Sequence, residues 1–289
     1  MANLKEVRTR IASVSSTQQI TSAMKMVSAA KFRRAQNAII GMRPYAAQLN
    51  EIIADIDTGD GVKTPYHAVR PVHTVALVVV TSNKGLCGAF NSNVLKLAQQ
   101  RIDHWREQGA TIRVISIGKK SSELLVRQKD LQLEVHDGLL DSPSFDTVAN
   151  VADALLEDYA EKRVDRVELV YNQFKNSLSQ ILSCEQFLPV ENKAVSGGGK
   201  AMRNDYIFEP SKEEILREMI PLTLRSTFYR VVLDSLAAEH GARMTAMQKA
   251  TDNATELLKD LRLSYNKARQ ASITNEIIEI VSGSEALKG

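Results

Sequence analysis

PSKEEILREMIPLTLRSTFYRVVLDSL, residues 210–236, opens a stretch that closes with YNKARQASITNEIIEIVSGSEAL, residues 265–287. Its only prolines are Pro210 at the threshold and Pro221, and its only glycines are Gly241 and Gly283. A run so poor in breakers reads as one helix from Ser211 to about Leu287, with Pro221 as the place where a bend would fall. At about 1.5 Å per residue it would span roughly 110 Å. A helix of that length is expected to project from any domain this chain could build, and to need a partner along its sides.

The other terminus carries a second helix. Leu4, Val7, Ile11 and Val14 recur at steps of three and four, and Ile20, Met24 and Val27 continue an apolar stripe in a shifted phase. Asn3 is the expected N-cap, with Glu6 three residues on as in a capping box. The pattern passes through Ala35, Ile39 and Met42, crosses Pro44 and runs on in Tyr45, Leu49, Ile52 and Ile56. Gly59, Asp60 and Gly61 end it. On the C-terminal helix the expected seam is Leu233, Leu236, His240, Arg243, Met247, Ala250, Ala254, Leu257, Leu261, Ser264, Ala268 and Ala271. With no third long helix to complete a bundle, the two termini are expected to form an antiparallel two-stranded coiled coil. Such a pair leaves Met24, Met26, Val27, Ile273, Ile277 and Ile280 uncovered, which calls for something that encloses the tip.

Between the helices the periodicity changes. Residues 72–81 form an apolar strand expected to be buried on both faces. Further strands are expected at 111–117, 131–135 and 166–174, with an antiparallel fifth at 177–189. Helices are expected at 91–108, 119–127 and 144–162, the last capped by Asp141, Ser142 or Ser144. Residues 196–199 read as a flexible loop and 205–209 as a return strand. Alternation of strand and helix implies a mostly parallel sheet. The expected fold class is therefore α/β: a long antiparallel coiled coil of the N- and C-terminal helices with an inserted Rossmann-like α/β domain. The expected boundaries are 1–58, 70–195, 196–210 and 211–287.

Charge and cysteine content narrow the classes. The chain has 289 residues and a net charge of +3, too little to argue for nucleic acid. Residues 1–45 hold eight basic residues against the single acid Glu6. The basic run Lys25, Lys31, Arg33 and Arg34 reads as a solvated helix face or a contact for an acidic protein. The longest apolar run, residues 75–80, is far too short to span a membrane. The start shows no export signal. Cys87 and Cys184 make no disulfide framework, which favours a reducing compartment.

The one stretch that resembles a ligand loop is SNKGLCGAFNSN, residues 82–93, between a strand and a helix. It has neither of the glycine spacings of phosphate loops, and no acid follows about 20 residues on. It reads as a tight turn, with Cys87 a small buried thiol and not a nucleophile. None of His67, His73, His104, His136 and His240 forms a metal-ligand spacing. No catalytic, metal or cofactor site is expected. The competing reading is a nucleotide-binding α/β protein with a coiled-coil arm.

RTRIASVSSTQQITSAMKMVSAAKFRRAQ (residues 8–36), TSNKGLCGAFN (81–91), RVELVYNQFKNSLSQ (166–180) and everything from His240 to Leu287 resemble the gamma subunits of F-type ATP synthases. The segment ITNEIIEIVSGSEA is similar to the family signature at Ile273, Thr274, Glu276, Glu279 and Gly283; Ser284 stands where alanine is usual, and Asn83 where the turn commonly has aspartate. The resemblance implies a non-catalytic central-stalk rotor subunit of bacterial type. Its partners would be a ring of three alpha and three beta subunits, an epsilon subunit and a ring of membrane c subunits. One copy would serve each complex, on the cytoplasmic face of the inner membrane, with no direct nucleotide or nucleic-acid binding. It also implies that Met24, Arg243, Arg269, Gln270, Thr274 and Glu279 meet or support the beta-subunit contact, with Arg269 and Gln270 as a polar catch. Tyr206, Phe208 and Glu209 would lie at the foot on the c ring.

Overall fold

The computed structural model describes residues 4–56, 64–128, 130–176, 179–190, 209 and 211–286. The expected N-cap Asn3, the loop at 196–199 and the return strand with Tyr206 and Phe208 fall outside the described residues.

Two long helices bracket the chain: α1, Leu4–Ile56, and α5, Lys212–Ala286, which runs through Pro221 without a break. Between them lie β1 (Thr74–Val80), α2 (Phe90–Glu107), β2 (Thr111–Ile117), α3 (Lys119–Leu125), β3 (Gln132–Val135), α4 (Phe145–Ala160), β4 (Arg166–Phe174) and β5 (Gln180–Leu188). Short 3-10 turns occupy Pro65–His67 and Asp137–Leu140. The sheet order is β3-β2-β1-β4-β5, with β5 antiparallel to β4 and the other pairings parallel. Sequence periodicity places the bounds of β2 and β4 where the structure has them. Ser144, of the three candidates, caps α4: its Oγ accepts from Thr147 N, and the Thr147 hydroxyl accepts from Ser144 N.

Residues 75–80 of β1 are buried throughout, because each face meets a separate apolar layer. Val75, Leu77 and Val79 pack with Val94, Ala98, Ile102 and Trp105 of α2. Ala76, Val78 and Val80 pack with Val148, Val151, Leu155 and Tyr159 of α4, and with Leu216, Ile220, Leu224, Phe228, Val231 and Val232 of α5. The first six turns of α5 thus form part of the α/β core. The expected division, with 70–195 as the α/β domain and 211–287 as coiled coil, is therefore not followed by the packing: Leu216 to Val232 belong to the sheet's core. The spacing of four from Leu216 to Phe228 puts one apolar stripe on the sheet, and that stripe is the covering layer a parallel sheet requires.

The chain divides into two compact units, residues 1–28 with 244–289, and residues 29–243. In the first unit the helices run antiparallel. Gln18 Nε2 donates to Thr255 Oγ1 at 2.7 Å, and the hydroxyls of Thr21 and Thr251 lie 2.8 Å apart. Val7, Thr21 and Ser28 are the buried residues of α1 here, and Met247, Ala254 and Leu258 those of α5. The expected seam holds at Val7, Met247 and Ala254, which are buried, and at Ile11, Val14, Met24, Ala250, Leu261 and Ala268, which are half-buried, but it slips by one residue elsewhere on both helices. Ile20 and Val27 are exposed while Thr21 and Ser28 are covered, and Leu257 is exposed while Leu258 is covered. Ser264 and Ala271 are exposed too; Tyr265 and Ser272 take the half-buried places. In the second unit Ala35, Ile39 and Met42 of α1 pack with Leu233 and Ala237 of α5, as the periodicity indicates. Leu49 is buried, but Tyr45 and Ile52 are exposed, against expectation.

Candidate functional site

Open α/β sheets bind ligands beyond the carboxyl ends of strands where the order reverses. Here that point lies between β1 and β4, and the turn at residues 82–88 stands over it. The turn is closed by its own side chains. Ser82 N donates to Asn91 Oδ1 at 3.0 Å, and Asn91 Nδ2 donates to Ser82 Oγ at 2.7 Å and to Cys87 Sγ at 3.2 Å. Cys87 and Phe90 are buried against Ala238 and Ala242 of α5. From β4, Asn172 Nδ2 donates to Phe90 O at 3.1 Å, while Phe174 meets Phe32 of α1 edge to face at 5.5 Å. Helices α1 and α5 of the same unit thus pack against the turn and the end of β4.

Glycine is required next to the turn. Gly118 sits at φ 102°, and a Cβ there would stand 2.5 Å from Thr81 O. That close approach lets the Thr81, Ser116 and Ser121 hydroxyls form a buried network, at 2.8 Å and 2.7 Å. The network fixes the end of β1 and with it the turn.

Arg243 holds the turn from the other side. It is only 8% exposed. Its Nη2 donates to Lys84 O at 2.7 Å, its Nε to Gly85 O at 3.3 Å, and its Nη1 to Glu239 Oε1 at 2.5 Å. Burial raises the Glu239 carboxyl above its ordinary range, against the pull of Arg243 and Lys31. Burial also pushes His240 down to about 4, with repulsion from Arg243 and Lys31 acting the same way. His240 is therefore neutral at physiological pH. Arg243, expected on the helix seam and at a partner contact, spends its guanidinium inside the chain, as a strut between α5 and the turn.

The other expected contact residues are distributed differently. Met24 is half-buried in the helix pair. Arg269, Gln270, Thr274 and Glu279 are exposed on α5, where Thr274 Oγ1 donates to Gln270 O at 2.9 Å. Ile273, Ile277, Ile278, Ile280 and Val281 are exposed on the same stretch of α5; Met26 and Val27 are exposed on α1. Glu209 is exposed. Among the described residues no group of acids, histidines and cysteines could hold a metal ion, and no helix is long and apolar enough to cross a membrane. Cys87 and Cys184 are unpaired thiols.

A packed switch point and an apolar tip on a helix pair define a class: a scaffold protein that works through its surfaces, built as paired helices with an inserted α/β domain. The family model described as ATP synthase matches residues 3–287. Proteins named ATP synthase gamma chain are similar along their whole length. That of Flavobacterium johnsoniae is 53% identical, with 100% of each chain covered, and that of Cytophaga hutchinsonii is 50% identical, with 99% of each covered. The chain belongs to the ATP synthase gamma-chain family, and is a subunit of that complex, not its catalytic one. Its fold is that of the rotor chain in the cryo-EM structure of the Euglena gracilis mitochondrial ATP synthase. There the TM-score is 0.65 at 22% identity, covering 93% of this chain and 98% of that one.

Proposed function

We propose that this chain is the central rotor shaft of a bacterial F-type ATP synthase. Its helix pair turns within a ring of three alpha and three beta subunits. Its α/β domain stands with an epsilon subunit on the c ring, at the cytoplasmic face of the membrane. Rotation driven by proton flow presents a different side of the shaft to each beta subunit in turn. An asymmetric shaft that contacts three equivalent subunits unequally biases their conformations, which is coupling by differential contact. Run in reverse, ATP hydrolysis drives the shaft and pumps protons. Arg269 and Gln270 act as a polar catch on the beta subunits, supported by Met24, Thr274 and Glu279. Tyr206, Phe208 and Glu209 form the foot.

The observation that carries this reading is full-length identity of 53% to a gamma chain. Exposed Ile273, Ile277 and Ile280 near the end of α5 support it, since such a face needs an enclosing partner. Co-purification tests it: tagged chain should bring down alpha and beta subunits at one copy per three of each. A stoichiometry of one to one, or no association, would overturn it. Equilibrium dialysis of ATP against the chain alone should show no stoichiometric binding.

A further inference from the structure

On α1 of the helix pair of residues 1–28 and 244–289, two hydroxyl residues are covered beside two exposed apolar ones. Thr21 and Ser28 are 9% and 3% exposed, while their neighbours Ile20 and Val27 are 57% and 58% exposed. On α5 Leu257 is 41% exposed beside Leu258. Adjacent residues lie about 100° apart around a helix. A rotation of each helix by about 100° about its own axis would therefore bring Ile20, Val27 and Leu257 into the seam and turn Thr21, Ser28 and Leu258 out. On α1 that exchange would replace two covered hydroxyl residues by two apolar ones; on α5 it would exchange one leucine for another.

Polar bonding across the seam opposes it. Thr21 Oγ1 lies 2.8 Å from Thr251 Oγ1 and 3.0 Å from Gln18 O. Thr251 Oγ1 also reaches Met247 O at 2.8 Å. Gln18 Nε2 donates to Thr255 Oγ1, which donates to Thr251 O at 2.8 Å. The four side chains close two helix-to-helix bonds on successive turns, Thr21 with Thr251 within the seam and Gln18 with Thr255 at its exposed edge. Buried polar groups at a coiled-coil seam cost stability and in return fix one arrangement against competitors. We infer that the Gln18, Thr21, Thr251 and Thr255 cluster is a rotational lock. It sets which faces of the two helices meet and so keeps Ile20, Val27 and Leu257 facing outward. The inference stands on the geometry of this pair and does not depend on the rotor reading.

Disulfide trapping on the full chain tests it, in a Cys184→Ser background with Cys87 left buried. Val14 and Leu258 lie one heptad from Thr21 and Thr251, so Val14→Cys with Leu258→Cys reports the observed seam. Ser13→Cys with Leu257→Cys reports the rotated one. With the cluster intact, mild oxidation should join the first pair and leave the second largely open. Replacing Gln18, Thr21, Thr251 and Thr255 by alanine removes two interhelical bonds. The ratio of the two trapping rates should then shift toward the second pair about tenfold or more. Circular dichroism confirms that helix content is retained. An unchanged ratio, or an equal fall in both rates, would overturn the lock and leave the cluster as ordinary packing.

Discussion

At the scale of single residues, Arg243 makes the sharpest prediction. Its guanidinium satisfies two turn carbonyls and the buried Glu239 carboxylate. Arg243→Ala would strand that carboxylate, at a cost of about 3–5 kcal/mol by denaturant unfolding. Adding Glu239→Gln should recover part of the loss, because the uncompensated charge is then gone; no recovery would mean that the carbonyl contacts alone matter. His240 gives a pH test. Its folded pKa of about 4 lies below the ordinary value of 6.5, so the unfolded chain binds the proton more tightly. Stability is therefore full above pH 6.5 and falls as pH drops from there toward 4. A shift of that size is worth up to about 3 kcal/mol. His240→Gln should flatten the stability profile across this window. The acids held below their ordinary range, Asp165 and Glu168, contribute stability that is lost at lower pH still, so the windows separate. Glu239, raised by burial, has the opposite sign: it favours folding at low pH and loses that contribution as pH rises.

At the scale of elements, the two ends of α5 should respond oppositely to substitution. Phe228 is fully buried in the sheet layer, and Phe228→Ala should cost about 3–5 kcal/mol in thermal or denaturant melts. Ile277 and Ile280 are more than half exposed, so replacing both by serine should leave the melt of the chain within about 0.5 kcal/mol. In the assembled complex the same pair should weaken coupling, measured as protons pumped per ATP. Equal coupling would remove this face from the partner contact. Much of the element plan was legible: the Val-rich run at 75–80 could only be a strand covered on both sides, and the ends of β2 and β4 coincide with their turn residues. Seam phase was legible only in part. Apolar periodicity selects Ile20 and Leu257, whereas Thr21 and Leu258 are the covered residues, with the Thr21 and Thr251 hydroxyls 2.8 Å apart. No local pattern marks a hydroxyl pair that meets 230 residues apart. The strut role of Arg243 was hidden likewise, since its turn acceptor Lys84 is 159 positions away. That the start of α5 covers the sheet follows only once β1 is known to need a second layer.

For the whole molecule, rigidity comes from contacts that are spent internally and function from those left open. The turn after β1, the Arg243 strut and the Thr81–Ser116–Ser121 network fix the α/β domain to its own stretch of α5. The isoleucines near the end of α5, with Arg269 and Gln270, are exposed, and in the proposed function they are the face that meets partners. Replacing Arg269 and Gln270 together by alanine should lower cooperative ATP turnover of the complex while the chain still assembles; unchanged turnover would remove them from the catch. The family was legible from motifs spread along the chain. The positions at the foot were reached only through that resemblance. The central claim is that this chain turns relative to its ring. Single-molecule tracking tests it directly: the alpha–beta ring is fixed to a surface through the beta subunits and a probe is attached to the α/β domain of this chain. Added ATP should drive continuous rotation of the probe in one direction. A probe that holds a fixed angle while the same complexes hydrolyse ATP would contradict the rotor assignment.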